Sequence, residues 1–372
     1  MRFIVNSSVL NTAIGVVSKV INPKSPMAIL SSILFQKDGE GLSLTAGDGE
    51  NTIICNIPVA EMDCEVNFAV EGKDIQEALR SLTDMPLVFE VSEAGKNLTI
   101  SYTNGKFALP TIDSSTYPRL LEVNDDANKI EVESVLLMNA LSRTVPATAN
   151  EELRPVMNGV YFDCSNGLTI VASDGHKLVR NTIKNVTIGE NVPGFILGKK
   201  IANILKGVLS KDSEPVSIQW GSNTAVIMFG NYKIITRLFE GRYPNYKAVI
   251  PDNNNNCVVV DRMAMISALK RVLPFANYSS MLVQLDIKDN TITLNSEDFD
   301  FNKTATEKLA CSSDCELSIG FKGSVLVELL SMITSEEVKF SLGEPSRAGL
   351  IEPFVQEENQ DVLMLIMPML LG

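Results

Sequence analysis

The sequence predicts an α+β chain made of three tandem, similar domains, each carrying two helices on antiparallel sheets. Three observations support this: a segment that occurs twice, amphipathic helices in common register, and period-two alternation between them. GLSLTAGDG at 41–49 returns as GLTIVASDG at 167–175, shifted by 126 residues. Leu42/Leu168, Ala46/Ala172, Asp48/Asp174 and Gly49/Gly175 are identical, and Leu44/Ile170 are both apolar. Solenoid units run roughly 20–50 residues, so a repeat of this length is a whole domain.

Each copy opens with a short strand running into a helix. FIVNSSVLNTAIGVV (3–17) aligns with IEVESVLLMNALSRT (130–144) and VVVDRMAMISALKRV (258–272), with Ala13, Ala140 and Ala268 in register. Leu10, Ala13, Ile14, Val17 and Ile21 form one apolar face of the first helix. Leu137, Ala140, Leu141 and Val145 do so in the second, and Met265, Ala268, Leu269 and Val272 in the third. A second helix follows in each copy, within EGKDIQEALRSL (71–82), LGKKIANILKGVL (197–209) and FKGSVLVELLSMI (321–333). In the middle one Ile201, Ile204, Leu205, Val208 and Leu209 lie on one stripe. NLTISYT (97–103), AVIMFG (225–230) and TITLNS (291–296) alternate as half-buried strands do. The spacing gives about eight strands per copy, and the two halves of a copy resemble each other. TYP (116–118) and RYP (242–244) close the first two copies. The polar, turn-rich DDAN (125–128) and DNNNN (252–256) set expected domains at 1–126, 127–254 and 255–372.

At 372 residues, 45% of them hydrophobic, every copy can bury a core. The N-terminus MRFIVNSSVL has no long apolar stretch after Arg2, and VLMLIMPMLL (362–371) is too short to span a bilayer and is interrupted by Pro368. A cytoplasmic location is expected, with no membrane partner. Its six cysteines are expected to be free thiols. Cys311 and Cys315 stand four apart with no Cys or His near in sequence to complete a zinc site, so no metal or cofactor is expected.

The net charge of −13 argues against nucleic acid until the charges are sorted by element. The six expected helices (7–21, 73–83, 133–145, 199–211, 261–273, 322–334) hold twelve basic and five acidic residues, which leaves the strands and loops strongly acidic. Lysine-rich solvent faces are one explanation. Another is a shared basic surface formed by helices of three equivalent domains, suited to phosphates. No aromatics interleave with these cations, so contact is expected with backbone charge and not with stacked bases.

Four motifs in order, RPVMNGVYFD (154–163), VASDGHKLVR (171–180), EGRYPNYKAVIP (240–251) and the tail IMPMLL (366–371), resemble the bacterial DNA polymerase III beta subunit family, the sliding clamps. The likeness extends over essentially the whole chain. It implies a DNA clamp fold: two subunits join head to tail into a ring of six domains, with strands outside and helices lining a channel around duplex DNA. The function implied is that of a non-catalytic processivity factor that slides without reading sequence. Its partners would be a clamp loader, the replicative DNA polymerase alpha subunit and other proteins carrying a short clamp-binding motif.

The resemblance further implies a partner-peptide cleft between the second and third domains, lined by Met157, Ser173, Gly175, His176, Lys177, Leu178, Pro244, Val249, Ser346, Ala348, Met367, Pro368 and Met369. Flexible, polarisable methionines suit a groove that accepts many short apolar peptides. The expected DNA-channel residues are Lys24, Lys73, Arg80, Arg143, Lys199, Lys200, Lys206, Arg262, Lys270 and Arg271. Phe107 and Phe275 are the expected apolar anchors of a dimer contact that pairs an edge strand of the first domain with one of the third. The chain departs from the family pattern at several places. Leu370 stands where members often carry Arg, Gly372 is added, Lys177 replaces a frequent Arg, and Ala248 sits where others have Arg. Lys24 matches a basic loop position, whereas Glu151 and Pro155 stand where some members have polar or aromatic DNA contacts.

His176 is the only histidine. Ser173-Asp174-Gly175-His176 holds the residue types of a nucleophile site, but triad members converge from distant segments. Gly47-Asp48-Gly49 in the first copy lacks a His, so Asp-Gly is expected to serve a turn common to the repeat. A hydrolase and a peptide-binding scaffold that never encircles DNA are the competing classes. The missing second His weighs against the first, and basic helices in all three copies against the second.

Overall fold

The computed structural model describes residues 1–62, 64–92, 95–118, 128–189 and 191–371. The first expected boundary, at 126/127, falls outside the described residues. The six helices expected from the pattern are α1 (Ser7–Val17), α2 (Gly72–Leu79), α3 (Ser134–Thr144), α4 (Lys199–Val208), α5 (Arg262–Val272) and α6 (Gly323–Ser331). Most of the expected apolar faces are buried: Leu10, Ala13, Ile14 and Val17 of α1, and Met265, Ala268, Leu269 and Val272 of α5, are each 1% exposed or less, whereas Ile21, beyond the end of α1, and Val208 are half-buried. Burying a side chain of the Leu or Ile class contributes about 1.5–3 kcal/mol, which exceeds the propensity of any one residue in these short helices.

The repeat is visible in hydrogen bonds as well as in sequence. The first residue of the first helix in each copy is tied to the segment after the second helix. Ser7 N donates to Met85 O at 2.9 Å, Ser134 N to Glu214 O at 2.8 Å, and Arg262 N to Glu336 O at 2.9 Å. Side chains reinforce the tie: Ser7 Oγ donates to Thr83 O at 2.7 Å, Ser134 Oγ to Ser210 O at 2.9 Å, and Arg262 Nε to Ser335 O at 2.8 Å. A guanidinium thus performs in the third copy what a serine hydroxyl performs in the first two.

Contacts divide the chain into two compact units that do not follow the repeat boundaries: Met1–Val135 with Ile204–Leu238, and Leu136–Asn203 with Phe239–Gly372. The middle repeat is split because its strands complete the sheets of its neighbours. In the first unit, strand Tyr232–Arg237 pairs antiparallel with Asn51–Ile57 (Tyr232↔Cys55 to Thr236↔Asn51) within an eight-stranded sheet. A five-stranded sheet ends on the edge strand Gly105–Pro110. Stacked Phe3/Phe89 (4.8 Å) and Phe35/Phe68 (5.0 Å) fill the core of this unit.

In the second unit, strand Lys177–Ile183 pairs with Gln360–Ile366 inside a nine-stranded antiparallel sheet. A four-stranded sheet has Lys303–Ala310 at one edge and Leu317–Lys322 at the other. The nine-stranded sheet brings segments near residues 177, 349 and 366 side by side. No described helix is long and apolar enough to cross a membrane.

Candidate functional site

All the residues expected to line the cleft lie in the second unit, and the sheet register sets the 173–178 turn, the 349–353 strand and the tail side by side. Lys177 pairs with Ile366 and Gly349 pairs with the same Ile366 from the other side. The tail therefore leaves its strand between the 173–178 turn and the start of the 349–353 strand. Met367 N donates to His176 O at 2.8 Å, which fixes the tail to the turn. Met369 N donates to Gly320 O at 2.8 Å, which fixes it to the four-stranded sheet. Gly320 must lack a side chain here, since a Cβ would stand 2.8 Å from both Met369 O and Leu371 Cδ2.

The Asp-Gly turn is common to the repeat. Asp48 Oδ1 accepts from the backbone N–H of Glu50 (3.0 Å) and Asn51 (2.8 Å). Asp174 Oδ1 accepts from those of His176 and Lys177, both at 2.9 Å. The following glycines share a left-handed backbone, with φ of 97° at Gly49 and 90° at Gly175. Asp174 is thus engaged in holding the turn, and His176 is an exposed residue on it.

The expected residues separate into a floor and a rim. Met157, Leu178 and Ala348 are buried beneath the surface. Gly175, His176, Pro244, Val249, Ser346 and Met367 are exposed, and Ser173, Pro368 and Met369 are half-buried. Val171, Leu178, Tyr243, Tyr246, Ala348, Leu350, Leu363 and Leu365 belong to one apolar cluster that joins the 171–180 and 240–251 motifs to the 349–353 and 360–366 strands, with Val156 packed against it.

Two tyrosines anchor the 240–251 segment. Tyr243 stacks on Tyr161 with centroids 5.0 Å apart. Tyr246 donates its hydroxyl to Asp163 Oδ2 at 2.7 Å, and Lys247 Nζ lies 2.9 Å from the same oxygen. Burial pushes the Asp163 carboxyl up, but donation from Ser165, Tyr246 and Lys247 outweighs it and holds the pKa at about 2, against an ordinary 3.8. The same burial, together with the bond to Asp163, pushes the Tyr246 phenol up. RYP enters the sequence reading as the end of a copy, as part of a family motif and through Pro244, but Asp163, Tyr246 and Glu328 are absent from the expected site. The tyrosines were visible in the RYPNY motif; no local signal links Glu328 to residue 177.

Lys177 differs from the expectation. It is 7% exposed and turned inward, with Nζ 2.5 Å from Glu328 Oε2 on α6. The carboxylate draws the ammonium off the cleft surface.

The expected channel cations also divide. Lys24, Lys73, Arg80, Lys200 and Lys270 are exposed, Lys73 standing 3.9 Å from Glu77 on the same helix. Lys199 and Lys206 are half-buried, with Lys199 Nζ donating to Asn150 Oδ1. Arg143 departs from the expectation: it is 5% exposed and donates to Asn181 Oδ1 (3.0 Å), Gln360 Oε1 (2.8 Å) and Glu357. A guanidinium so enclosed serves the core and is unavailable to phosphate. Arg262 is half-buried and held by Ser335 O, and Arg271 Nε grips Glu307 at 2.8 and 3.0 Å, so their charge is partly committed. Phe107 lies half-buried on its edge strand, tilted against Tyr102 at 5.1 Å, and Phe275 is 41% exposed. All six cysteines are free thiols. Among the described residues no group of three or more Cys, His, Asp or Glu is placed to hold a metal ion.

Comparison with known proteins accords with this geometry. Residues 1–121, 131–245 and 247–370 match in order the N-terminal, central and C-terminal domains of the DNA polymerase III beta subunit. A beta sliding clamp of Treponema pallidum is 27% identical over 380 residues, covering 99% of both chains. One of Pseudomonas aeruginosa is 23% identical, covering 99% of this chain and 100% of the relative. Among solved structures, the P. aeruginosa sliding clamp bound to griselimycin superposes with a TM-score of 0.93 at 23% identity. The beta subunit of Thermotoga maritima gives 0.89 at 25%, and both structures cover the whole of either chain. With all three domains matched in order along nearly its whole length, this chain belongs to the DNA polymerase III beta subunit family, the sliding clamps.

Proposed function

We propose that the chain is the non-catalytic processivity clamp of a replicative DNA polymerase, with domains at 1–126, 127–254 and 255–372, working in the cytoplasm. Two copies join head to tail, with Gly105–Pro110 of one meeting Lys303–Ala310 of the other and Phe107 and Phe275 as apolar anchors. Both strands are sheet edges among the described residues, so each has backbone groups free to continue a sheet. The closed ring holds duplex DNA by topology. Exposed Lys24, Lys73, Arg80, Lys200 and Lys270, with Lys199 and Lys206, supply loose, sequence-blind contact with phosphates. Clamp loader, polymerase alpha subunit and other motif-bearing proteins dock in the cleft of the second unit.

The observation that carries this reading is the junction of the tail with the 173–178 turn through Met367 N and His176 O, in the unit whose apolar cluster gathers residues of the 154–163, 171–180 and 240–251 motifs. A tail used only to finish the sheet would not leave its Met367 and Leu370 exposed. The test is retention on DNA. Loaded by its loader and ATP, the protein is expected to stay on nicked circular DNA and to leave once the DNA is linearised. Equal retention on both forms would mean binding by contact alone. Deleting Met367–Gly372 is expected to abolish polymerase stimulation and preserve the dimer; unchanged stimulation would refute the cleft.

A further inference from the structure

Lys177 is the only Lys or Arg of the Ser173–Leu178 turn, and it is withheld from the surface. Its side chain is 8% exposed, with Nζ 2.5 Å from Glu328 Oε2 and 3.9 Å from Asp174 Oδ2. An ammonium enclosed by two carboxylates offers no net positive charge outward. Neighbouring cations are similarly engaged. Arg154 Nε donates to Glu151 at 2.9 Å, and Lys247 lies on Asp163. Arg242 and Arg347 are the exceptions, neither in an ion pair among the described residues: Arg242 is exposed, and Arg347 donates to the neutral amide oxygen of Asn253. The tail beyond Ile366 contains no charged residue, and its Leu370 is 84% exposed. Carboxylates remain at the surface: the Asp174 side chain is 27% exposed and that of Glu328 37%.

We propose that the Lys177–Glu328 pair sets the partner specificity of the cleft. By holding the ammonium inside, Glu328 makes the site select short apolar segments with neutral or basic flanks and discriminate against acidic flanks. Glu328 acts through Lys177 and touches no partner in doing so; it is a positioning residue. The proposal rests on the cleft reading above.

The test uses the full-length protein and three fluorescein-labelled peptides, each with a Leu-Leu-Phe centre flanked by Lys, Ser or Asp. Affinity for the wild type is expected to fall in that order. Glu328→Gln removes the charge that retains Lys177, and the released ammonium is expected to improve binding of the Asp-flanked peptide about two- to fivefold, the range of exposed ion pairs. Adding Lys177→Gln is expected to cancel that gain, which a general loosening of the cleft would not do. Lysine acetylation read by mass spectrometry gives a readout independent of peptides: Lys177 is expected to be protected in the wild type relative to Lys73, and reactive in Glu328→Gln. Equal wild-type affinity for all three peptides, an unchanged profile in Glu328→Gln, or wild-type acetylation of Lys177 as fast as Lys73 would overturn the proposal. No binding of any peptide, with Lys177 still protected, would overturn the cleft reading and the specificity built on it; binding without discrimination would overturn the specificity alone.

Discussion

Replacing Arg143 with alanine separates its enclosed role from the phosphate contact its sequence position suggests. The guanidinium donates to Asn181 Oδ1 and Gln360 Oε1, residues 0% and 1% exposed, and to Glu357, whose side chain is 32% exposed. Removing it leaves two buried amide oxygens without this donor, at about 1–3 kcal/mol each. Glu357 can turn to water and adds little. The expected loss is about 3 kcal/mol, the lower end of the range for breaking a buried ion pair. Asn181 and Gln360 sit on the two strands that join at Lys177↔Ile366, so the loss should register there. Native-state hydrogen exchange is the suitable assay, because a multidomain chain need not unfold in one step. Amides of 178–183 and 361–366 should exchange roughly 150-fold faster in Arg143→Ala, the factor corresponding to about 3 kcal/mol. The salt dependence of DNA binding should stay as in the wild type, whereas Lys270→Ala should lower its log–log slope by about 0.9. Unchanged exchange together with a lowered slope in Arg143→Ala would refute the structural role and return the residue to the channel.

The remaining predictions concern pH, the tail and assembly. Asp163 has its folded pKa depressed to about 2 from 3.8, so its stabilising contribution is full above pH 3.8 and is lost as pH falls through 2. Tyr246→Phe should shrink that acid loss, and an identical acid profile in both proteins would discount the tyrosine. Gly320→Ala puts a Cβ 2.8 Å from Met369 O, so the tail must shift; peptide affinity should drop while the thermal midpoint moves by only a few degrees. Affinity equal to wild type would show that the tail does not depend on that close approach. The protein should elute at about twice 40.6 kDa, and Phe107→Ala should shift it toward monomer on dilution; a wild type strictly monomeric at micromolar concentration would contradict the ring.

Periodic features were the most legible part of the sequence. Helix faces such as Met265, Ala268, Leu269 and Val272 are set by a 3.6-residue period, and burial follows from it locally. The Asp-Gly turn was legible because its hydrogen bonds span only two or three residues. The expected grouping of 157, 173–178, 244–249, 346–348 and 367–369 rests on family likeness alone, since strand order and not local pattern decides which segments meet. Charge was the least legible. Arg143 and Lys177 read as surface cations, but their carboxylate partners lie 214 and 151 residues away. Helix position gives a side chain's face and says nothing about a distant Glu that draws it inward.

The discontinuity of the first unit has a consequence for synthesis. Strand Asn51–Ile57 receives Tyr232–Arg237 as its neighbour, so during translation it waits for well over a hundred further residues before its outer backbone groups are covered. A nascent chain arrested near the end of the first repeat would carry that strand as an open, apolar edge, Ile53, Cys55 and Ile57 included, and would be prone to pair with another such chain. Cutting the gene at its repeat boundaries would create the same hazard permanently. A fragment ending after Arg237 is the shortest from the N-terminus that contains every strand of the eight-stranded sheet, although it also carries 136–203 without their own partners.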